Sequence, residues 1–475
     1  MALQNTNLGP EKIGELLRGK KNLFFAGIGG ISMNSLARIS ALRGFTVSGY
    51  DRSPSPITRK LEDEGITVYY ESSAEHVKDC HALIYTVAMP EDNPEYAYAK
   101  ENGIPVISRA DYLGYLMTGY RHRIGISGTH GKSTTTGMVA RILSYAHANP
   151  TVLSGAALKE TGSPDMIGGH YYFAFEACEY MDSFLDFYPT CAVVLNIELD
   201  HLDYFHSLEQ IRTSFGRFMA KTGPDGCAVI NLDDADCIIA AHDYEGRLVT
   251  FGRENPAADY SSENEDMRDG YASFDVSHGG EIVAHIKLHF PGEHSISDAL
   301  AAFAACHTVG MDAKVIADGL GTYDGVARRM EKVTVTKSGA VVYTDYAHHP
   351  TEIATTIAGA RRIAKKKLNI VFQPHTYSRT AELFDDFVKV FSECDADKIV
   401  LCDIYAARET NIYGVTSDNL AEKITAMGKS CRKAKGFGDA AELISSCSSD
   451  GDVIIIMGAG DVISVSEILT QEYSR

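Results

Sequence analysis

The chain has 475 residues, 45% of them hydrophobic and 23% charged, and a formal net charge of −19. That length and composition predict a globular protein of about three domains, and the acidic balance argues against a nucleic-acid partner, since phosphate backbones need basic faces. The ten cysteines include no CxxC pair, which points to a reducing compartment rather than a zinc ribbon or redox motif. The N-terminal stretch MALQNTNLGPEKIGELL lacks a basic segment followed by an apolar core, and no apolar run reaches membrane-spanning length. A cytoplasmic protein without a membrane span is therefore expected.

In chain order, the recurring unit is an apolar strand, a glycine-bearing turn and an amphipathic helix. It occurs first at residues 22–51, where GIGGIS follows the strand NLFFA. Gly27, Gly29 and Gly30 allow a tight turn, Ile31 and Ser32 open the helix, and Asp51 ends the next strand. The pattern approaches the dinucleotide fingerprint G-x-G-x-x-G with a downstream acid, but Ser32 stands at the third glycine. It predicts a pyrophosphate-bearing ligand at a helix start rather than NAD in particular. A plain strand–helix turn is the structural alternative. YLMTGYRHR (115–123) reads as a linker.

The second unit is RIGISGTHGKSTTTGMVARILSYA (123–146). Its Gly-Lys-Ser resembles a phosphate loop, yet G-x-x-x-x-G-K-[ST] would put the first glycine at Ile126, and it is at Gly128. Strand before and helix after still place the loop where backbone N–H groups and a helix N-terminus favour an anion. Gly128 and Gly131 would let the backbone approach the phosphates of a nucleotide. Lys132 would place a charge at the β/γ-phosphates, and Ser133 or Thr134 a hydroxyl on Mg²⁺. FEACEYMDSFL (175–185) puts Glu176 at a strand end, and NIELDHLDYF (196–205) packs Glu198, Asp200, His201 and Asp203 behind the strand CAVVL. Carboxylates and an imidazole at strand ends suit a metal ion bridging phosphate oxygens. Either stretch alone would read as a solvated acidic loop.

From about Leu248 to Phe290 the composition turns polar and predicts an antiparallel insertion. Strands follow at AVVYTD (340–345), LNIVF (368–372), KIVLC (398–402) and DVIIIMG (452–458). DYAHHPTEI (345–353) and QPHTYSRT (373–380) bring Tyr346, His348, His349, His375 and Arg379 to strand C-termini, the ligand-binding edge of an open α/β sheet. An Arg there can hold a carboxylate, and a His can take a proton from an amine. Strands alternating with helices predict an α/β protein in three divisions, 1–119, 120–328 with an antiparallel insertion, and 329–475.

GTHGKSTTT, NIELDHLDYF, DYAHHPTEI and QPHTYSRT, in this order, resemble the Mur ligases, ATP-dependent ligases of peptidoglycan precursor synthesis, over nearly the whole chain. The resemblance implies the branch that joins L-alanine to UDP-N-acetylmuramate through an acyl phosphate, releasing ADP and phosphate. It makes the first and third divisions Rossmann-like domains and the central one an ATPase-type parallel sheet. It assigns the GIGGIS turn to the UDP-sugar and wraps Gly128, Thr129, His130 and Gly131 around the phosphates of ATP. It makes Ser133 or Thr134 and Glu176 ligands of one Mg²⁺, with His201 binding a second or positioning the γ-phosphate. Tyr346, His348, His375 and Arg379 would line the amino-acid site, with His348 the candidate base, and His294 and Arg329 would serve the nucleotide. A monomer or weak homodimer is expected. The chain departs from the family where Ser295 and Asp298 replace asparagines near the adenine and ribose, and where Cys178 replaces an acid. The alternatives are a murein-peptide ligase acting on the same UDP-sugar and a non-catalytic UDP-sugar-sensing homologue. An NAD-dependent oxidoreductase would leave the Gly-Lys loop unexplained.

Overall fold

The computed structural model describes residues 3, 5–87, 89–200, 204–407 and 409–473. The chain divides into two compact units, residues 1–261 with 301–319, and residues 262–300 with 320–475.

The first unit opens with five strands, β1 (Asn22–Ala26), β2 (Thr46–Tyr50), β3 (Thr67–Tyr69), β4 (Ala82–Tyr85) and β5 (Val106–Ser108). They form a parallel sheet in the order β3-β2-β1-β4-β5. β1 and β4 are near-continuous apolar runs because both faces of a parallel sheet are covered. Chain order reverses between β1 and β4, so the GIGGIS turn leaves β1 at the topological switch point, where such sheets bind ligands.

The second sheet of this unit uses β6 (His122–Ser127), β7 (Thr151–Leu158), β8 (Ser163–Met166), β9 (Tyr172–Glu176), β10 (Cys191–Val194), β11 (Cys227–Asn231) and β12 (Arg247–Gly252). Their order is β12-β11-β10-β6-β9-β7-β8, and only the β7–β8 pairing is antiparallel. One apolar core runs from Leu23 and Phe25 of the first sheet through Tyr112 and Leu116 to Phe173 of the second and to Phe184 and Phe218 on the helical segments that follow. The two sheets of this unit therefore share buried side chains.

Two sequence expectations need correcting. The stretch 115–123 is not a free linker: the helix Arg109–Met117 runs into it and β6 starts at His122. Leu116, Met117 and Tyr120 are buried there, and that burial outweighs the polar look of the sequence. The polar stretch from Leu248 is also not wholly antiparallel. β12 continues the parallel sheet beside β11, and β13 (Tyr260–Asp266) starts parallel to β12. An antiparallel pair comes later, β14 (Tyr271–His278) with β15 (Glu281–Pro291), in the second unit. β12 starts exposed and its pairing with β13 is confined to Phe251 and Gly252, which hid its place in the parallel sheet from a composition argument.

The second unit also holds β16 (Glu331–Val335), β17 (Val341–Asp345), β18 (Leu368–Phe372), β19 (Lys398–Leu401), β20 (Cys431–Lys433) and β21 (Val453–Met457). The order is β16-β17-β21-β18-β19-β20, parallel except for β16 against β17. β18 and β21 are buried along their whole length. The C-terminal ends of β17, β18 and β21 thus lie side by side, and their following loops carry the residues singled out above. Among the described residues, no helix is long and apolar enough to cross a membrane.

Candidate active site

The loop after β6 is built by backbone constraints. Gly128 has φ +141°, and a Cβ there would sit 2.9 Å from the Leu195 Cβ and 3.2 Å from the Asn196 amide nitrogen. Gly131 has φ +85° and caps the helix Lys132–Tyr145 without a side chain. Asn196, just past β10, braces the loop: its carbonyl accepts from the Thr129 amide at 3.1 Å. Its Oδ1 accepts from the His130 amide at 2.8 Å, and its Nδ2 donates to the His130 carbonyl at 3.1 Å. The Thr129 hydroxyl accepts from the Glu198 amide at 2.9 Å. Ile126 is fully buried in β6, a strand residue rather than a displaced loop glycine.

Lys132 opens the helix. Its Nζ donates to the carbonyls of Gly128 and Thr129, the latter at 3.0 Å. It also pairs with Glu179 at 3.1 Å, where the Lys132 side chain is 17% exposed and the Glu179 side chain 1%. Burial acts to lower the Lys132 pKa, but the charge and hydrogen bond of Glu179, together with Cys178 and Glu176, outweigh it and the ammonium is held above its ordinary value. Glu179 was not singled out from the sequence. The available signal was its place three residues after Glu176, in the same short acidic stretch.

Glu176 ends β9 in register with Ile126 of β6, so it lies at the sheet edge from which the phosphate loop departs. Its Oε1 accepts from the Ser154 hydroxyl at 3.0 Å and the Gly155 amide at 2.6 Å. Ser133 and Thr134 lie in the first turn of the following helix and are buried. A hydroxyl and a carboxylate held at the same edge are hard oxygen donors, and such a set fits Mg²⁺, which takes one or two protein oxygens and completes its shell with phosphate and water. His201 and Asp203 lie outside the described residues.

In the GIGGIS turn, Gly27 has φ +86°, and its amide and that of Ile28 donate to the Tyr50 carbonyl. Asp51 does more local work than the fingerprint suggests: its carboxylate accepts from the Gly29 and Arg52 amides, both at 2.8 Å. A Cβ on Gly29 would meet that carboxylate at 2.8 Å. Ser32 accepts a hydrogen bond from Arg109 at 3.1 Å.

In the second unit, Tyr346, His348, His375 and Arg379 come together. Ring centroids are 5.5 Å apart for Tyr346 and His348 and 5.7 Å for His348 and His375. Arg379 Nη1 lies 3.4 Å from His375 Nδ1. Arg328 and Arg329 stand over the Tyr346 ring at 4.8 and 5.2 Å. Arg328, absent from the sequence expectation, is anchored by donating to the Gly458 carbonyl at 2.5 Å and the Gly460 carbonyl at 3.1 Å. Tyr405, likewise missed, stacks on His375 at 5.4 Å, and its carbonyl accepts from the Thr376 amide at 2.8 Å. Thr376 holds φ +64°, a conformation rare for a β-branched residue and retained because its hydroxyl caps the next helix. His349 faces elsewhere in function: with Glu352 it forms the cap of the helix Pro350–Ile363, and Pro350 takes the first position as expected.

The partners fix the tautomers. His348 Nδ1 lies 3.0 Å from the Tyr346 carbonyl, which can only accept, so Nδ1 carries the proton and Nε2 keeps a free lone pair. Arginine can only donate, so His375 Nδ1 is the acceptor and Nε2 carries the proton. Burial lowers the pKa of His348, against the opposing pull of Glu352. Burial, with His348 and Arg379 nearby, lowers that of His375 to about 4. Both rings are neutral at pH 7. His294 is half-buried at the start of the helix His294–Thr308, with a pKa lowered to about 4 by desolvation and by Arg329. The Ser295 hydroxyl donates to the Gly292 carbonyl, and Asp298 is buried.

Comparison with known proteins adds independent findings. Residues 23–121 match the Mur ligase family, catalytic domain; residues 126–306 the Mur ligase middle domain; and residues 328–460 the Mur ligase, glutamate ligase domain. The chain is 42% identical over 447 residues to a UDP-N-acetylmuramate–L-alanine ligase of Caldicellulosiruptor saccharolyticus, covering 94% of this chain and 97% of that one. It is 43% identical over 453 residues to the ligase of that name in Acetivibrio thermocellus, covering 95% and 96%. The crystal structure of the UDP-N-acetylmuramate–alanine ligase of Thermotoga maritima superposes with a TM-score of 0.77 at 26% identity, over 95% of this chain and 98% of that one. With relatives above 40% identity along almost its whole length and matching three-domain architecture, the chain belongs to the Mur ligase family.

Proposed function

We propose that this chain joins L-alanine to UDP-N-acetylmuramate in an ATP-dependent reaction that releases ADP and phosphate. The observation that carries the reading is the coexistence, in one chain, of a Gly-Lys phosphate loop and a separate cluster of arginines with two neutral imidazoles. The first suits phosphoryl transfer and the second an amino acid. The proposed domains are 1–119 for the UDP-sugar, 120–328 for ATP and 329–475 for the amino acid.

In the first half-reaction, the muramate carboxylate attacks the γ-phosphorus of ATP, the bond to the β–γ bridging oxygen breaks, and an acyl phosphate and ADP form. Gly128–Thr134 hold the nucleotide phosphates, with His294 and Arg329 further nucleotide contacts, and Lys132 stabilises charge developing on the γ-phosphate. Ser133 or Thr134 and Glu176 would hold one Mg²⁺, which neutralises phosphate charge when bound, and His201 would hold a second or position the γ-phosphate. Gly27, Gly29, Gly30, Ile31, Ser32 and Asp51 hold the UDP-sugar. In the second half-reaction, the alanine amine attacks the acyl carbon and phosphate leaves. Arg379 holds the alanine carboxylate against Tyr346. His348 Nε2 takes the amine proton, and His375 Nε2–H donates to an oxygen of the reacting groups.

Phosphate release separates the readings. With ATP, Mg²⁺ and UDP-N-acetylmuramate, release is expected on adding L-alanine. Release with a murein tripeptide but not with L-alanine, glycine or L-serine would overturn the proposal in favour of a murein-peptide ligase. No release with any acceptor would point to a UDP-sugar sensor.

A further inference from the structure

Arg109 has no task in the scheme above, and its surroundings are unusual for a cation. It is the first residue of the helix Arg109–Met117, where the helix dipole presents partial positive charge and disfavours a guanidinium. Its position is rigid. The Ser108 hydroxyl, at the cap, donates to Asp111 at 2.6 Å, and Asp111 also accepts from the Thr6 hydroxyl at 2.5 Å and the Leu8 amide at 3.0 Å.

A guanidinium has five N–H donors. Among the described residues, the hydrogen-bond partner of Arg109 is the Ser32 hydroxyl, at 3.1 Å through Nη1. Asp186 is the carboxylate whose charge bears on Arg109, and it accepts instead from Asn5 at 2.9 Å. Arg109 is half-buried, so water does not fully replace the missing partners. Burial accordingly lowers its pKa, with Asp186 pulling the other way.

Ser32 is the second residue of the helix Ile31–Leu42, whose cap, Gly30, offers no side chain. An under-used guanidinium, carried on the first residue of one helix, therefore reaches the first turn of another, beside the turn at the switch point of the first sheet. The cation and the helix starts each favour negative charge, and Arg is the side chain best shaped for a bidentate grip on phosphate or carboxylate.

We propose that Arg109 binds an anionic group of the UDP-sugar, either the pyrophosphate or the lactyl carboxylate, with Ser32 holding the guanidinium in place. This rests on the assignment of the GIGGIS turn to the UDP-sugar. It also accounts for Ser32 in place of a third glycine: a hydroxyl is needed there to receive Arg109.

The test is calorimetric binding of UDP-N-acetylmuramate and UDP-N-acetylglucosamine, which shares the pyrophosphate but lacks the lactyl carboxylate, to the wild type, R109Q, R109K and S32A. R109Q should weaken UDP-N-acetylmuramate by about 10- to 100-fold, the range for losing a charge-assisted hydrogen bond. An equal loss for UDP-N-acetylglucosamine assigns the pyrophosphate; a loss confined to UDP-N-acetylmuramate assigns the carboxylate. R109K, which keeps the charge but not the fork, and S32A should show smaller losses. Affinity within twofold of the wild type in R109Q overturns the proposal. If R109Q does not fold, as judged by thermal melting, wild-type affinity in R109K overturns it. Failure of the wild type to bind either UDP-sugar would instead overturn the assignment of the turn.

Discussion

Lys132 and Glu179 show how a buried ion pair fixes the direction of a charged side chain. An ammonium has three donors, and Lys132 spends them on Gly128, Thr129 and Glu179. The two carbonyls belong to the loop, so Glu179 is the partner that aims Nζ from outside it. Glu179→Ala should lower kcat about tenfold or more, in the range for losing a partner of a buried charge, with little change in UDP-sugar affinity. The check is a double-mutant cycle in nucleotide affinity: the Glu179→Ala effect should vanish in a Lys132→Ala background, because the two act as one unit. Gly128→Ala tests the loop backbone. Its φ of +141° and the 2.9 Å contact with Leu195 predict about 1–3 kcal/mol of destabilisation, read by denaturant unfolding. Lys132 and the glycines were legible because their chemistry is local. Glu179, Arg109 and Tyr405 were not, since nothing in their immediate sequence says which residue 47, 77 or 30 positions away they meet.

At the scale of elements, functional loops are held by neighbouring strands. Asn196 ties the end of β10 to the phosphate loop through both its side-chain groups. Asn196→Asp keeps the acceptor but sets a carboxylate oxygen against the His130 carbonyl. It should lower kcat/KM for ATP about tenfold while circular dichroism stays native. The start of the helix His294–Thr308 carries a pH signature. His294 has a folded pKa of about 4, below the ordinary imidazole value of about 6.5. Its contribution to stability is therefore fully present above about pH 6.5 and is lost as pH falls towards 4. Asp186, raised to about 6 mainly by burial, acts with opposite sign over part of that range. The difference between the wild type and His294→Asn isolates the imidazole: the wild type should lose more stability than the variant between pH 7 and pH 5, measured by urea midpoints. The alternation of strand and helix made these elements legible. The start of β12 was not legible, because the strand opens on exposed residues and its buried run is short.

At the scale of the whole molecule, the proposed division of tasks among separate sheets implies that a substitution in one should spare another. Lys132→Ala should abolish phosphate release while UDP-N-acetylmuramate affinity, measured by calorimetry, stays within about twofold of the wild type; collapse of that affinity would contradict the proposed domain assignment. The ten cysteines are all free, so the fold rests on its cores and not on covalent links. Sequence by itself determined the α/β class, the strand–loop–helix units and the residue types at the strand ends, because periodicity, glycine turns and helix starts are properties of neighbours along the chain. Only the tertiary structure decided which strands lie side by side, that Tyr346, His348, His375 and Arg379 share one cluster, and that Arg109 reaches Ser32 and Glu179 reaches Lys132. Those contacts join residues far apart in sequence, and they depend on sheet order and burial, which no local pattern encodes.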